Sequence, residues 1–249
     1  MTKNNGTRRT GILFKQEDSN LAPTIYLEEF YQKYLKGQQV PDLADSICSI
    51  YQEIRVKKTC DCQNLFDFNH VKEHIVYKLI RRDANEELLK KIPYEPFLDL
   101  AVVYYIQIDN TRFGSAAIQI RNEHLRYWRV EKEEIRRLAE KNTPRIYPVQ
   151  IRQIVRFMYV ATNEQCSLGA AVMRYPDFRK KVRGMIRGDF YILPSSIHEV
   201  ILVPESFGLE PERMQEMVKE INQTGVAPEE VLSDSVYYFD GEEIRIVAK

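Results

Sequence analysis

The chain has 249 residues, of which 44% are hydrophobic and 29% charged; that suits a folded protein with a sizeable core and excludes a disordered one. Its 36 Lys+Arg balance its 36 Asp+Glu, so no excess of positive charge draws the whole molecule to nucleic acid, although a local basic face stays open. No run of about eighteen uncharged apolar residues exists, so no transmembrane helix is expected.

At the N-terminus, Arg8-Arg9 is followed by only Ile12-Leu13-Phe14 before Lys15, too short an apolar run for a secretory or twin-arginine signal. The segment RRTGILFKQ reads as a strand after an Asn-Asn-Gly turn, with no evident partner. Three helices are expected next. LEEFYQKYL places Leu27, Phe30, Tyr31 and Tyr34 on one face, and DLADSICSIYQEI does the same with Leu43, Ile47, Ile50, Tyr51 and Ile54. FNHVKEHIVYKLIRR reads as a third, through Phe68, Val71, Ile75 and Leu79. Residues 1–92 thus form a mainly helical lobe, and 93–249 a sheet-containing core that can join it in one compact domain.

After Pro93 and Pro96 the period changes. LDLAVVYYIQI is apolar on both alternating faces, as a central strand is, and turns through DNTRFG into SAAIQI. A helix, EKEEIRRLAEKN, ends before Pro144. FMYVAT then turns through NEQCSLG into AAVMRY, and Asp177 caps a helix in which Phe178, Val182 and Ile186 share a face. This order suggests two ββα units, with Ala116-Ala117-Ile118 and Ala170-Ala171-Val172 in equivalent places. The last third reads as hairpin, helix, hairpin: FYIL and EVILV, then PERMQEMVKEINQ ending at Gly225, then VYYF and EIRIV across Asp240-Gly241. The fold class is α+β, an antiparallel sheet built of hairpins with helices packed on it.

Three constellations could carry chemistry. His70, Glu73 and His74 spell the H-x-x-E-H of inverted zinc peptidases, yet on a helix whose apolar stripe centres on Ile75 they fall on the flank or the far side, toward water. Cys60 and Cys62 could join His70 and His74 around a structural zinc, although C-x-C is tighter than the usual C-x-x-C; the alternative is a surface loop with two free thiols. In PSSIHEVILVPE, a zincin would need a histidine at position 202, where Leu202 stands. A hydrolase would use Ser195 or Ser196 as nucleophile and His198 as base, but no glycine elbow flanks the serines. Its acid would come from elsewhere, for example Asp234, because neighbouring Glu199 points to the opposite face of the strand. The competing reading is a hairpin turn. The basic helix Arg179–Arg187 (Arg179, Lys180, Lys181, Arg183, Arg187) could touch phosphate or be a solvated face. Trp128 is expected to pack. No P-loop or dinucleotide fingerprint occurs, and no cofactor other than zinc is suggested.

In order, the segments APTIYLEEFY, IVYKLI, FLDLAVVYY, NTPR, MYVATN, GAAV, YILPSSIHEVILVP and APEEVLSDSVY resemble a bacterial domain-of-unknown-function family common in clostridial-type gut anaerobes. The resemblance spans nearly the whole chain and brings no activity, cofactor or catalytic residue. It implies an additional helix and strand ahead of TKNNG, whose lack here would leave RRTGILFKQ unpaired. It also implies that VYKLI, but not the two histidines before it, belongs to the shared pattern, which weakens both zinc readings. The expectation is a cytoplasmic, non-enzymatic binding or regulatory module with an unidentified partner, another protein among the options, and no membrane. Hydrolysis and nucleic-acid contact are the alternatives.

Overall fold

The structure, a computed structural model, describes residues 2–15, 24–54, 67–111, 114–186 and 188–249. Among them lie three antiparallel sheets. The smallest pairs β1 (Gly11–Leu13) with β2 (Thr24–Tyr26). The expected lone strand therefore has its partner within the chain, in a segment that sequence pattern assigns to no element. Helices Glu28–Leu35 and Val40–Ile54 follow, and bury Ile25, Phe30 and Leu43 against Phe14, Ile47 and Tyr51. Tyr31 and Tyr34, expected on the inner face, are exposed.

The second sheet centres on the long β5 (Leu100–Thr111). One edge of β5 pairs with β3 (Ile75–Arg81); β4 (Tyr94–Phe97) and β6 (Gly114–Gln119) take successive lengths of the other. Leu100 through Ile106 are all buried, as a strand apolar on both faces must be. The stretch Ile75–Arg81 is a strand, not the continuation of a helix. Asp67 caps a single turn, Phe68–Val71, by accepting from the backbone N–H of Asn69, and a 3-10 turn, Lys72–His74, leads into the strand. Ile75, Val76 and Ile80 are β-branched, and a short apolar run supports either period until a neighbouring strand decides it.

The third sheet runs β12 (Ile244–Ala248), β11 (Val236–Phe239), β9 (Phe190–Leu193), β10 (Val200–Pro204), β8 (Met158–Asn163), β7 (Val149–Val155). The hairpins β9–β10 and β11–β12 match the sequence reading, and Gly241 supplies the positive φ of the second turn. Helix Lys132–Ile146 runs through Pro144 in its last turn instead of stopping before it. Gly169–Arg174 is a 3-10 helix, so AAVMRY is no strand and the equivalence with Ala116-Ala117-Ile118 in β6 fails; the pairing hairpin is β7–β8. Asp177 precedes helix Phe178–Met185 without capping it, its carboxylate instead meeting Lys181 at 2.8 Å. Phe178, Val182 and Ile186 are buried as expected.

One core joins the two larger sheets. Tyr77, Leu79 and Val102 of the second sheet share it with Ile192, Val200, Leu202 and Tyr237 of the third, and Ile135 and Ala139 of the long helix close it. Residues on both sides of position 92 therefore contribute to the same interior. No helix among the described residues is long and apolar enough to cross a membrane.

Candidate functional site

The six residues between β9 and β10 cross beneath two other segments. Ser196 forms an isolated bridge with Val231, and Leu232 donates its backbone N–H to the Ser195 carbonyl at 2.9 Å. From the other side comes the loop after β8, where Leu168 (φ 53°) and Cys166 (φ 52°) hold left-handed backbone. That loop presents consecutive N–H groups to one residue: Leu168 N–H donates to His198 Nδ1 at 3.2 Å, and Gly169 N–H to the His198 carbonyl at 2.9 Å. Thr162 Oγ1 donates to the same carbonyl at 2.7 Å.

His198 is thereby fixed. Its Nδ1 accepts a backbone N–H, so the ring proton sits on Nε2, which faces Glu230 Oε1 at 3.3 Å. Its own backbone N–H donates to Ser196 Oγ at 3.1 Å. The carboxylate at the ring is Glu230 and not Asp234, which lies 2.8 Å from Arg81 and accepts from Asn222 Nδ2. Ser195 contributes its carbonyl to Leu232 as described above, and no hydrogen bond joins either serine hydroxyl to the imidazole among the described residues.

His198 and Glu230 form one wall of a cleft of about 600 Å³. The facing walls come from Lys3 and Arg9, from Tyr26 and Phe30, from Ile50, and from Lys78 of β3. The N-terminal segment is tied over this region by its asparagines. Asn4 Nδ2 donates to the Glu229 carbonyl, and Asn5 Nδ2 to those of Pro228 and Val231, with Asn5 in the left-handed region. Arg9 pairs with Glu229. Lys78 is the member that helical periodicity hides. On a strand it shares its face with Val76 and Ile80, so a charge stands on an otherwise apolar face. Burial, and the nearby Lys3 ammonium, lower its pKa. Glu230 and Leu168 had no local signal, since only the folded chain brings segments 162–169, 194–199 and 227–231 together.

The other candidates lie apart. His70 and His74 are exposed, their ring centroids 6.5 Å apart; the α-turn ends between them, so they do not share one regular helical face. Glu73 is 3.9 Å from both Lys141 and Arg145. Cys60 and Cys62 fall outside the described residues, as does Arg187. No cluster of three or more His, Cys, Asp or Glu among the described residues could hold a metal ion. On the basic helix, Arg179 and Arg183 stack over Phe239 at 5.6 and 5.5 Å, Arg179 also donates to the Glu242 carbonyl, and Lys181 meets Asp177. Arg179 and Arg183 thus fasten the β11–β12 hairpin, while Lys181 pairs locally at the start of its own helix. Trp128 packs between Phe68 and His124.

A separate polar knot lies where β4 turns into β5. Asp99 accepts from the hydroxyls of Ser233, Ser235 and Tyr237, while Asp234 between those serines bridges to Arg81. It ties the LSDSVY segment to the second sheet and has a structural role.

No curated protein and no solved structure matches the chain. Residues 1–158 and 155–241 match the model of a family of unknown function, DUF5688, and the chain belongs to that family.

Proposed function

We propose that this protein is a non-enzymatic binding module of the cytoplasm, and that its ligand site is the cleft beside His198. One observation carries the reading: the Nδ1 lone pair of His198 is taken by a backbone N–H, and Nε2 lies 3.3 Å from the Glu230 carboxylate. A general base needs a free nitrogen lone pair within reach of the proton it takes. Here the Nδ1 lone pair holds Leu168 N–H, and Nε2–H faces Glu230. An imidazole held in this way is a rigid wall and a hydrogen-bonding edge. The cleft volume falls in the range of roughly 300–1,000 Å³ usual for small-molecule sites, and apolar and charged groups both line it. Exposed free thiols at Cys48 and Cys166 suit a reducing compartment.

The test is a thermal-shift screen of the full chain against small molecules of every charge class, run beside chromogenic ester and peptide substrates. At least one compound should raise the melting temperature, and Ile50→Trp, which fills the cleft from an exposed helix position, should abolish that shift. Ester or peptide turnover lost in Ser195→Ala, Ser196→Ala or His198→Gln would overturn the reading in favour of a hydrolase.

A further inference from the structure

We propose that the ligand of this cleft carries an oxyanion, a carboxylate or phosphate group, seated between the ammonium groups of Lys78 and Lys3. The inference rests on the binding reading above and gives it a ligand class. Lys78 is the one charged residue in the run Ile75–Ile80, and its apolar neighbours on the same face, Val76 and Ile80, belong to separate hydrophobic clusters on either side of it. Its Nζ lies 5.8 Å from the Tyr105 ring, and Lys3 Nζ stands 4.2 Å over the ring of Tyr26. Among the described residues neither ammonium has a carboxylate within 4 Å, and both line the same cleft.

The cleft's own carboxylates are placed elsewhere. Glu229 is held by Arg9, Glu230 faces His198, and Glu29 is exposed on the first turn of its helix. A half-buried ammonium without a counter-ion is unfavourable, and a second ammonium nearby makes it more so. The lowered pKa of Lys78 registers both effects. An oxyanion between the two would relieve the repulsion and replace lost hydration with charge-assisted hydrogen bonds. Tyr26, Phe30 and Ile50 offer an apolar wall for the rest of the molecule.

The experiment is calorimetric titration of the full chain with inorganic phosphate, pyrophosphate and succinate, at ionic strength held constant with sodium chloride. At least one should bind, and the phosphate and succinate arms identify which oxyanion. Lys78→Met and Lys3→Met should each weaken binding at least tenfold, about 1.4 kcal/mol. Lys180→Met, outside the cleft, should leave it unchanged. Lys78→Met preserves bulk while removing a half-buried charge, and circular dichroism checks that it folds. Equal binding in both variants overturns the proposal, as does the absence of any oxyanion binding. If no oxyanion binds but a neutral or cationic compound does, in a manner lost in Ile50→Trp, the oxyanion assignment alone falls. If no compound of any charge binds, the binding reading falls with it.

Discussion

Gly169→Ala tests how tightly the His198 brace is built. A Cβ at this position would lie 2.0 Å from Thr162 Oγ1, 2.5 Å from the His198 carbonyl oxygen and 2.8 Å from Asn163 N. Two of these three are backbone atoms. The third belongs to a fully buried threonine, so its hydroxyl has no solvent to turn into. Relief requires the 3-10 turn to move away from the β9–β10 connection, which breaks the bonds from Thr162 Oγ1 and Gly169 N–H to the His198 carbonyl. Two hydrogen bonds at about 1 kcal/mol each, with overpacking of about 1–3 kcal/mol, give a loss of about 3–5 kcal/mol. At roughly 2–4 °C per kcal/mol for a chain of this size, the melting temperature should fall by roughly 6–20 °C. Gly184→Ala is the internal control. Nothing lies within 4 Å of its Cβ, it sits in helix Phe178–Met185, and a gain of about 0.5–1 kcal/mol is expected. Urea titration measures both, and the ¹⁵N spectrum of the imidazole reports whether Nδ1 keeps its donor. Gly169→Ala within 1 kcal/mol of the parent, with an unchanged imidazole spectrum, would refute the reasoning.

Three further substitutions or titrations probe the same structure. Asp99→Ala leaves the hydroxyls of Ser233, Ser235 and Tyr237 without their acceptor and should cost about 3–4 kcal/mol in urea, whereas Asp99→Asn, which retains an acceptor oxygen, should cost about half; equal losses would count against the network. Burial raises Tyr77, Tyr105 and Tyr237 well above the ordinary phenol value of 10, so their contribution to stability is complete below about pH 10 and is lost as pH climbs toward the folded values. In a titration at 295 nm their phenolate absorbance should appear only with unfolding, and ionisation of all 15 tyrosines in a still-folded chain would contradict this. For Lys78 the sign is reversed: a lowered folded pKa means the ammonium opposes folding at neutral pH and below, and ceases to do so as pH rises toward 10.5. Lys78→Met should therefore stabilise by about 1 kcal/mol at pH 7, with the gain shrinking as pH rises through the lowered folded pKa toward 10.5; a destabilised variant would show that the charge is compensated.

What was legible in the sequence was local. Strand β5 announced itself because Leu100–Ile106 is apolar on both alternating faces, and the β11–β12 hairpin because Asp240-Gly241 supplies the positive φ its turn requires. Helix Pro211–Thr224 carries its own start and stop signals; of the apolar residues Met214, Met217, Val218 and Ile221 that its spacing aligns, Met214 and Val218 are buried and Met217 and Ile221 are exposed. What failed was decided by partners distant in sequence. Ile75–Arg81 fits either period, and only pairing with β5 makes it a strand. Thr24–Tyr26 is too short to signal a strand until Gly11–Leu13 lies beside it. Ala170-Ala171-Val172 looks like a strand from composition, yet the turn imposed at Leu168 sends it into a 3-10 helix. The cleft was illegible for the same reason. PSSIHE is a distinctive stretch in the sequence, but Glu230, Leu168 and Lys78 reach its cleft through three separate connections.

The backbone around His198 separates a brace from an ordinary turn. A hairpin that needs positive φ can use glycine, as β11–β12 does at Gly241. The loop after β8 instead places Cys166 and Leu168 in the left-handed region, at about 1–2 kcal/mol each. Other contacts hold it there. Asn163 Oδ1 accepts from the backbone N–H groups of Gln165 and Ser167, Asn163 Nδ2 donates to the Ser167 carbonyl, and the Leu168 side chain packs against two hydrophobic clusters. Strain that is over-determined in this way fixes a geometry. The geometry it fixes is the aim of Leu168 N–H at Nδ1, and with it the direction of Nε2 toward Glu230 at the cleft wall. A nucleophile's base would gain nothing from a donor that occupies its lone pair. The proposed recognition surface would gain a ring held in one orientation beside the Glu230 carboxylate.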